Sequence, residues 1–507
     1  MRRRVVNGIF KMITASVWLL AVASCGTTMT AVRERAYDSG PVIEDEKIEL
    51  ALLGRLDRDE FVCAAGMDLE VDNGVVMLKG SVDSLTEKRR VFDLIESTRG
   101  VVSIVDHLRV EPAGRSDAGI KEDVEKALLI DPVTEDYKVT VGVKQAAVTL
   151  EGTVNSFQEK RIAERVAGDV RGVEMVVNRL DVEYDMPRPD REIREEVERR
   201  LEMDPYLDRG LIWIGVDAGR VTLKGKVGSL AQKGRAYYDA WVFGVQEVDD
   251  TGLKVVRGLG DPMIRKEPPF VRTVEEIKRA VELALTYDPH CDVAKVDVRV
   301  KPAGQVILSG SVDNLEAVYA AGEAAYNTLG VWVVDNHLKV LPERMIEDLA
   351  LAANLKEAFE RDPVLAGRNL HALVRNGRVS LYGSVDYDYL RQRAGALAGR
   401  IFGVVAVDNY IAKKGISEIE ADREILGAVA EEIYADPFLD FDEIDLNVED
   451  GTVTLRGAVD SRHELIEAVE CAFRGGAREV RSRLTVEGSP DPYLGYLYVA
   501  DGRIDRM

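Results

Sequence analysis

Five histidines, His107, His290, His337, His371 and His463, are the natural starting points for acid–base or metal chemistry, and they are scattered along the chain. Pro289-His290-Cys291-Asp292 places three ligand types in a row, but no second cluster stands at the spacing of a zinc site. Gly258-Leu259-Gly260 lacks the third glycine and the strand-to-helix setting of a dinucleotide loop. Neither a phosphate loop nor a nucleophile elbow occurs. The expectation is a noncatalytic chain with no metal site and no cofactor. The remaining chemistry is electrostatic. Lys88, Arg89 and Arg90 form one basic group, Lys160, Arg161 and Arg165 a second, Lys233 and Arg235 a third, and Arg391 and Arg393 a fourth. A basic helix near an anionic membrane gains about 1 kcal/mol per residue. The competing reading for each group is a solvated helix face. The third group is followed by Tyr237, Tyr238, Trp241 and Phe243. Tyr237 and Trp241, four apart, face a core, which leaves Tyr238 at a wet amphipathic edge suited to a membrane interface. Lys88, Arg89, Arg90, Lys160, Arg161, Arg165, Lys233, Arg235 and Tyr238 are therefore the candidate contacts for anionic phospholipid.

The N-terminus carries a second kind of membrane signal. Arg2-Arg3-Arg4 precedes an apolar run from Ile9 to Val22, the order of a secretory signal and too short for a stable spanning helix. It ends in Val22-Ala23-Ser24-Cys25-Gly26, which resembles a bacterial lipobox. That resemblance implies cleavage before Cys25, acylation of Cys25, and, because Gly26 is not aspartate, the periplasmic face of the outer membrane. The alternative is a cleaved signal followed by a chance cysteine. Cys63, Cys291 and Cys471 remain, too few and too scattered for a disulfide framework, and read as small buried thiols. The net charge of −22 argues against nonspecific nucleic-acid binding, and loss of the leader would remove four more positive charges.

What positions these residues is a repeat. The phrase apolar-x-apolar-x-Gly-x-apolar occurs around Gly80, Gly152, Gly225, Gly310, Gly383 and Gly457, at steps of 72, 73, 85, 73 and 74 residues. A glycine inside a strand at every copy reads as structural, marking a bulge or a close backbone approach. Asn73-Gly74, Asn376-Gly377 and Asp450-Gly451 are hairpin turns ahead of the phrase. Ser84-x-x-Glu87, Ser156-x-x-Glu159, Ser229-x-x-Gln232 and Ser461-x-x-Glu464 are capping boxes after it. Asp131-Pro132, Asp204-Pro205, Asp288-Pro289, Asp362-Pro363 and Asp436-Pro437 each stop an earlier helix. Gly100-Val101, Gly172-Val173, Gly244-Val245, Gly330-Val331 and Gly403-Val404 end a later one, whereas Gly475-Gly476-Ala477 departs from that pattern.

The expected fold is α+β: six tandem α-β-β-α-β domains, each with two helices on a three-stranded mixed sheet. In the 507-residue chain the leader takes 1–24 and a tether 25–41. The repeats take 42–112, 118–185, 190–257, 273–342, 345–414 and 421–488. A Gly/Pro-rich linker spans 258–272, splitting the array into two groups of three, and a tail spans 489–507. Units this small hold modest cores and are expected to bury surface on one another.

The element order, the Val-x-Leu-x-Gly-x-Val phrase, the Gly-Val pair and the endings Val105-Asp106-His107-Leu108 and Val177-Asn178-Arg179-Leu180 resemble the BON (bacterial OsmY and nodulation) domain family over residues 42 to 488. The resemblance implies a noncatalytic envelope module that binds phospholipid or docks proteins. The expected function is an envelope lipoprotein whose repeats bind anionic phospholipid or envelope partners and support outer-membrane integrity. The alternative is a scaffold in a secretion or peptidoglycan-associated assembly whose lipid contact is the Cys25 anchor alone. No nucleic-acid partner is expected.

Overall fold

The computed structural model describes residues 42–59, 61–112, 114–134, 139–184, 188–259, 273–291, 295–342, 344, 346–413, 422–486, 496–500 and 503–506. Cys25, the leader, the tether, most of the linker and the start of the tail lie outside these residues.

Each repeat follows one plan. The first comprises α1 (Asp45–Arg58), β1 (Met67–Asp72), β2 (Val75–Val82), α2 (Leu85–Glu96) and β3 (Ser103–Val110). The second comprises α3 (Asp117–Ile130), β4 (Thr140–Lys144), β5 (Ala147–Val154), α4 (Phe157–Gly168) and β6 (Met175–Val182). The third comprises α5 (Asp190–Met203), β7 (Ile212–Asp217), β8 (Arg220–Val227), α6 (Leu230–Asp239) and β9 (Glu247–Val255). The fourth comprises α7 (Val274–Thr286), β10 (Val296–Lys301), β11 (Gln305–Val312), α8 (Leu315–Tyr326) and β12 (Val333–Val340). In the fifth, α9 (Asp348–Arg361) and β13 (His371–Arg375) precede a split middle strand, β14 (Arg378–Tyr382) and β15 (Ser384–Val385). After α10 (Asp388–Gly399) its third strand is likewise split, into β16 (Ala406–Asn409) and β17 (Ala412–Lys413). The sixth has α11 (Asp422–Ala435), β18 (Ile444–Glu449), β19 (Thr452–Val459), α12 (Arg462–Arg474) and β20 (Glu479–Val486). Its sheet then gains β21 (Tyr496–Ala500) and β22 (Arg503–Arg506), giving five strands in sequence order.

The middle strand pairs antiparallel with the first and parallel with the third, so Val76 sits opposite both Val71 and Ile104. Alternation sends Val76, Leu78 and Val82 into the helices, while Lys79 between them is exposed. The phrase glycine lies where the first strand's entry crosses the middle strand. A Cβ on Gly457 would stand 1.9 Å from the Glu443 carbonyl oxygen, at φ +129°. The pairing runs through this position without a bulge, and the close approach of the neighbouring backbone leaves no room there for a side chain.

The hairpins are held from outside. Asn73 and Gly74 both take positive φ, and the Asp45 carboxylate at the start of α1 accepts both their N–H groups, at 2.7 and 3.0 Å. Asp117, Asp190, Asp348 and Asp422 do the same in their repeats. Gln145 and Ala146 tolerate left-handed backbone because Asp117 fixes them there.

Third strands would expose an edge, and most are blunted by an Asx residue. Asp106, Asn178, Asn336 and Asn409 each accept the outward N–H two residues on, at 2.9 to 3.2 Å. The repeat-six counterpart is the buried Ser482, only 3.4 Å from Leu484 N, and there β21 covers the edge instead.

Residues 37–507 form one unit in which the repeats dock on each other in a regular way. Leu85, the first residue of α2, packs into the core of repeat two. Phe157, the first of α4, packs into repeat three, and Leu230, the first of α6, returns into repeat one. The first three repeats therefore close a cycle. Arginines leaving each third strand reinforce it. Arg115 caps the Arg171 carbonyl in repeat two, and Arg188 pairs with Glu196 in repeat three. Arg257 returns to Asp45 and the Ile43 carbonyl in repeat one. The last three repeats use the same steps: Leu315 enters repeat five and His463 reaches the Tyr326 carbonyl in repeat four.

The two halves join in reverse order. The residue before a Gly-Val turn donates its N–H to the carbonyl before the Asp-Pro of its partner. Arg99 reaches Ala435 at 2.7 Å, pairing repeats one and six, and Leu329 reaches Met203 at 2.9 Å, pairing four and three. Repeats two and five exchange both bonds, Arg171 to Arg361 at 2.7 Å and Phe402 to Ile130 at 3.1 Å. Phe61 stacks on Tyr389 between repeats one and five, and Tyr206 meets Phe438 with tilted rings between three and six. These contacts have the connectivity of a dihedral hexamer written in one chain.

Candidate functional site

The candidate phospholipid contacts lie on the second helices and at their ends, which are also the surfaces through which the repeats dock. Lys88 pairs with Asp106 at 2.7 Å and donates to the Leu108 carbonyl at 2.8 Å. Lys160 donates to the Leu180 carbonyl at 2.6 Å, and Lys233 stands 3.6 Å from Asp250. Arg90 binds Asp59 at 2.8 Å, and Arg235 binds Asp204 at 2.7 Å while lying over the Tyr206 ring. Arg393 repeats the motif on Asp362 at 2.7 Å. In each case the partner is the aspartate that closes the first helix, 31 residues earlier.

Two of the arginines serve junctions between repeats. Arg89 of repeat one reaches Asp169 of repeat two at 3.0 Å, and Arg393 of repeat five approaches the same carboxylate at 3.7 Å. Burial opposes ionisation of Asp169, but Arg89, Arg393 and Arg400 outweigh it and hold the carboxyl below the usual range. Arg165 is largely buried, which together with the nearby Arg400 lowers its affinity for its proton.

Tyr238 and Arg161 are the most open of the nine, 49 % and 48 % exposed, with the guanidinium 3.1 Å from the phenol oxygen. Tyr237 and Trp241 turn inward, and Phe157 stacks on Trp241 with ring centroids 3.8 Å apart. Beside them Glu96, Leu230, Lys233, Tyr237, Tyr238 and Asp250 line an open cleft of about 250 Å³ between repeats one and three.

Arg55 of α1 and Glu432 of α11 lie 3.2 Å apart with side chains 2 % and 3 % exposed. Arg55 also donates to the Leu94 and Ser97 carbonyls and to Thr98 Oγ1, at 2.7 to 3.1 Å. Arg58 pairs with Glu431 at 2.7 Å, and the Arg99 side chain donates to the Asp436 and Leu439 carbonyls. These residues tie repeat one to repeat six, and sequence reasoning missed them. So it did the turn-holding aspartates, although the constant 28-residue interval from Asp45 to Asn73, Asp117 to Gln145 and Asp348 to Asn376 was there to be read.

His290 Nδ1 stands 2.8 Å from Asp288, and burial pushes the neighbouring Cys291 thiol up to about 12. Among the described residues no group of three or more His, Cys, Asp and Glu side chains could hold a metal, and no helix is long and apolar enough to cross a membrane. Cys63, Cys291 and Cys471 are free thiols; Cys63 is exposed and Cys471 buried.

With this geometry in place, comparison with known proteins is informative. The family model described as BON domain matches residues 44–112, 116–184, 189–257, 273–342, 347–414 and 421–488. The osmotically-inducible protein Y of Escherichia coli (strain K12) is 26 % identical over 148 residues, covering 28 % of this chain and 74 % of that protein. Two solved structures of CdsD, a structural protein of the type III secretion system of Chlamydia trachomatis, are 17 % and 18 % identical. Each covers 44 % of this chain, against 96 % and 92 % of its own, with a TM-score of 0.12 that carries no argument.

Proposed function

Because this chain belongs to the BON domain family, with six copies of the domain, we propose that it is a noncatalytic envelope scaffold in which BON domains bind one another. The observation that carries this reading is the fate of the basic second helices. Lys88, Arg89, Arg90, Lys233 and Arg235 pair with carboxylates of the same chain, and Lys160 donates a hydrogen bond to the Leu180 carbonyl. A cation already held by a carboxylate has little attraction left for a phosphate, since displacing it would leave a partly buried anion behind. Membrane attachment then rests on the acyl groups proposed for Cys25, which would hold the chain at the periplasmic face of the outer membrane. The six sheets offer surfaces for envelope partners in a secretion or peptidoglycan-associated assembly.

A second reading, recognition of anionic phospholipid by the repeats themselves, is favoured by one feature, the exposed Arg161–Tyr238 pair. An exposed cation beside an amphipathic ring is what an interface contact requires. Flotation of the mature chain with Cys25→Ser on neutral and anionic vesicles separates the two. The scaffold reading expects no flotation at any salt concentration. Flotation on anionic vesicles alone, lost at high salt and lost with Arg161→Gln, would replace it with the lipid reading.

A further inference from the structure

The dihedral arrangement repeats each junction, so a junction that breaks the pattern is conspicuous. Between repeats one and five, both helices bring an arginine to the helix-closing aspartate, Arg90 to Asp59 and Arg393 to Asp362. Between repeats three and six, Arg235 keeps this role on Asp204, but its counterpart 31 residues after Asp436 is Glu467. Repeat six therefore carries a carboxylate near Asp436 at the position where repeats one, three and five carry a guanidinium and repeats two and four carry the uncharged Ile162 and Tyr319.

The neighbours do not neutralise it. On its own helix Arg474 is held by Asp436 at 3.3 Å and Glu432 at 3.4 Å, with Glu470 at 3.7 Å. His463 and Glu464 stand one turn before it, and Cys471 one turn after. Across the junction Arg235 is taken up by Asp204 and lies on the Tyr206 ring, with Asp239 and Arg200 behind it. From repeat one, Arg55 and Arg99 serve Glu432 and the Asp436 carbonyl, and from repeat four Glu323 adds negative charge beside Glu470. Among the described residues Glu467 makes no ion pair and no hydrogen bond.

We propose that the junction between repeats three and six is a proton-dependent latch, closed while Glu467 carries a proton and loosened when it ionises against Asp436. Burial, followed by Asp436 and Glu470, pushes the Glu467 carboxyl up to about 7. A carboxyl raised in the folded state stabilises it below the unfolded value, and that contribution is lost as pH rises through the folded value. The window therefore runs from the ordinary carboxylate range up to about 7 and levels off just above it, and the latch is tightest in acid.

The test is hydrogen exchange of α12 and of residues 204–214 in the full chain at pH 6 and 8.5, corrected for intrinsic rates. Linkage gives a rise of about tenfold in the opening constant between these pH values from this one group. Glu464 and Asp239 titrate too, so the quantity read is the difference between wild type and Glu467→Gln. The variant should lose about that tenfold. Glu467→Arg, which installs the residue type of repeats one, three and five, should protect the junction most at pH 8.5. An unchanged rise in Glu467→Gln, or a Glu467→Arg chain no better protected than wild type at pH 8.5, overturns the proposal.

Discussion

The Arg55–Glu432 pair is the most sensitive point between the first and last repeats. Glu432→Leu leaves the Arg55 guanidinium buried without a counter-ion, because Arg58 and Arg474 keep Glu431 and Asp436 while Arg55 has only neutral acceptors left. Removing one member of a buried pair costs about 3–5 kcal/mol. Arg55→Met leaves Glu432 to Arg58 and Arg474, at 3.2 and 3.4 Å, and frees four acceptors, the Leu94 and Ser97 carbonyls and the Ser97 and Thr98 hydroxyls. Its cost is expected in the same range. The double variant removes both charges and keeps only the loss of those acceptors, about 1–3 kcal/mol. The two changes should therefore be strongly non-additive, with a coupling of about 2 kcal/mol or more. A chain of this size need not unfold in one step, so the assay is native-state hydrogen exchange at Ile48 and Leu52 in α1 and at Val429 and Ile433 in α11, which reports local opening. Costs that add within about 0.5 kcal/mol would show that the pair does not hold the two repeats together.

Other outcomes follow from the same structure. Gly457→Ala forces a Cβ against the Glu443 carbonyl at a left-handed backbone and should cost more than about 1 kcal/mol, read as a lower thermal midpoint. Phe157→Ala removes the ring stacked on Trp241 and should cost about 2–3 kcal/mol, with a red shift of Trp241 emission as repeats two and three part. Asp117 is held below its usual range by the Ala146 and Gln145 N–H groups, so its contribution is present at neutral pH and lost as pH falls through its folded value. Asp117→Asn should flatten that acid limb in a melting-versus-pH series. Deleting residues 489–507 uncovers the outer edge of β20 and should bring association, detected by light scattering; adding Ser482→Asn, the plug used in repeats two, four and five, should suppress it.

What the sequence made legible was whatever repeats within 70-odd residues. Ser84, Ser156, Ser229 and Ser461 receive the N–H three residues on, and the strands alternate about the phrase. In the sixth copy Gly476, at φ +95°, takes the left-handed position that the Gly-Val pairs fill elsewhere. The docking was hidden because it depends on which residue of one copy meets which of another, and no period records that. Arg89 and Arg393 stand at different positions of their helices, yet both converge on Asp169 from different repeats. Glu196 and Glu432, on first helices, are buried and matched by arginines of other elements, a pairing that no spacing in the sequence records. Ser482 differs from its Asx counterparts by one atom's reach, and only the paired β21 shows what that difference is for.

The reversed pairing has a consequence for how the molecule is made. Repeat three meets repeat four soon after both are synthesised, but Arg58 finds Glu432 only across 374 residues. Of the six repeats the earliest made is thus the last to be matched, because its partner is the sixth. Until then α1 presents an unsatisfied guanidinium and an open docking face. A chain that stops short of repeat six would keep that face uncovered, so proteolysis and chaperones could tell an unfinished molecule from a finished one by its beginning.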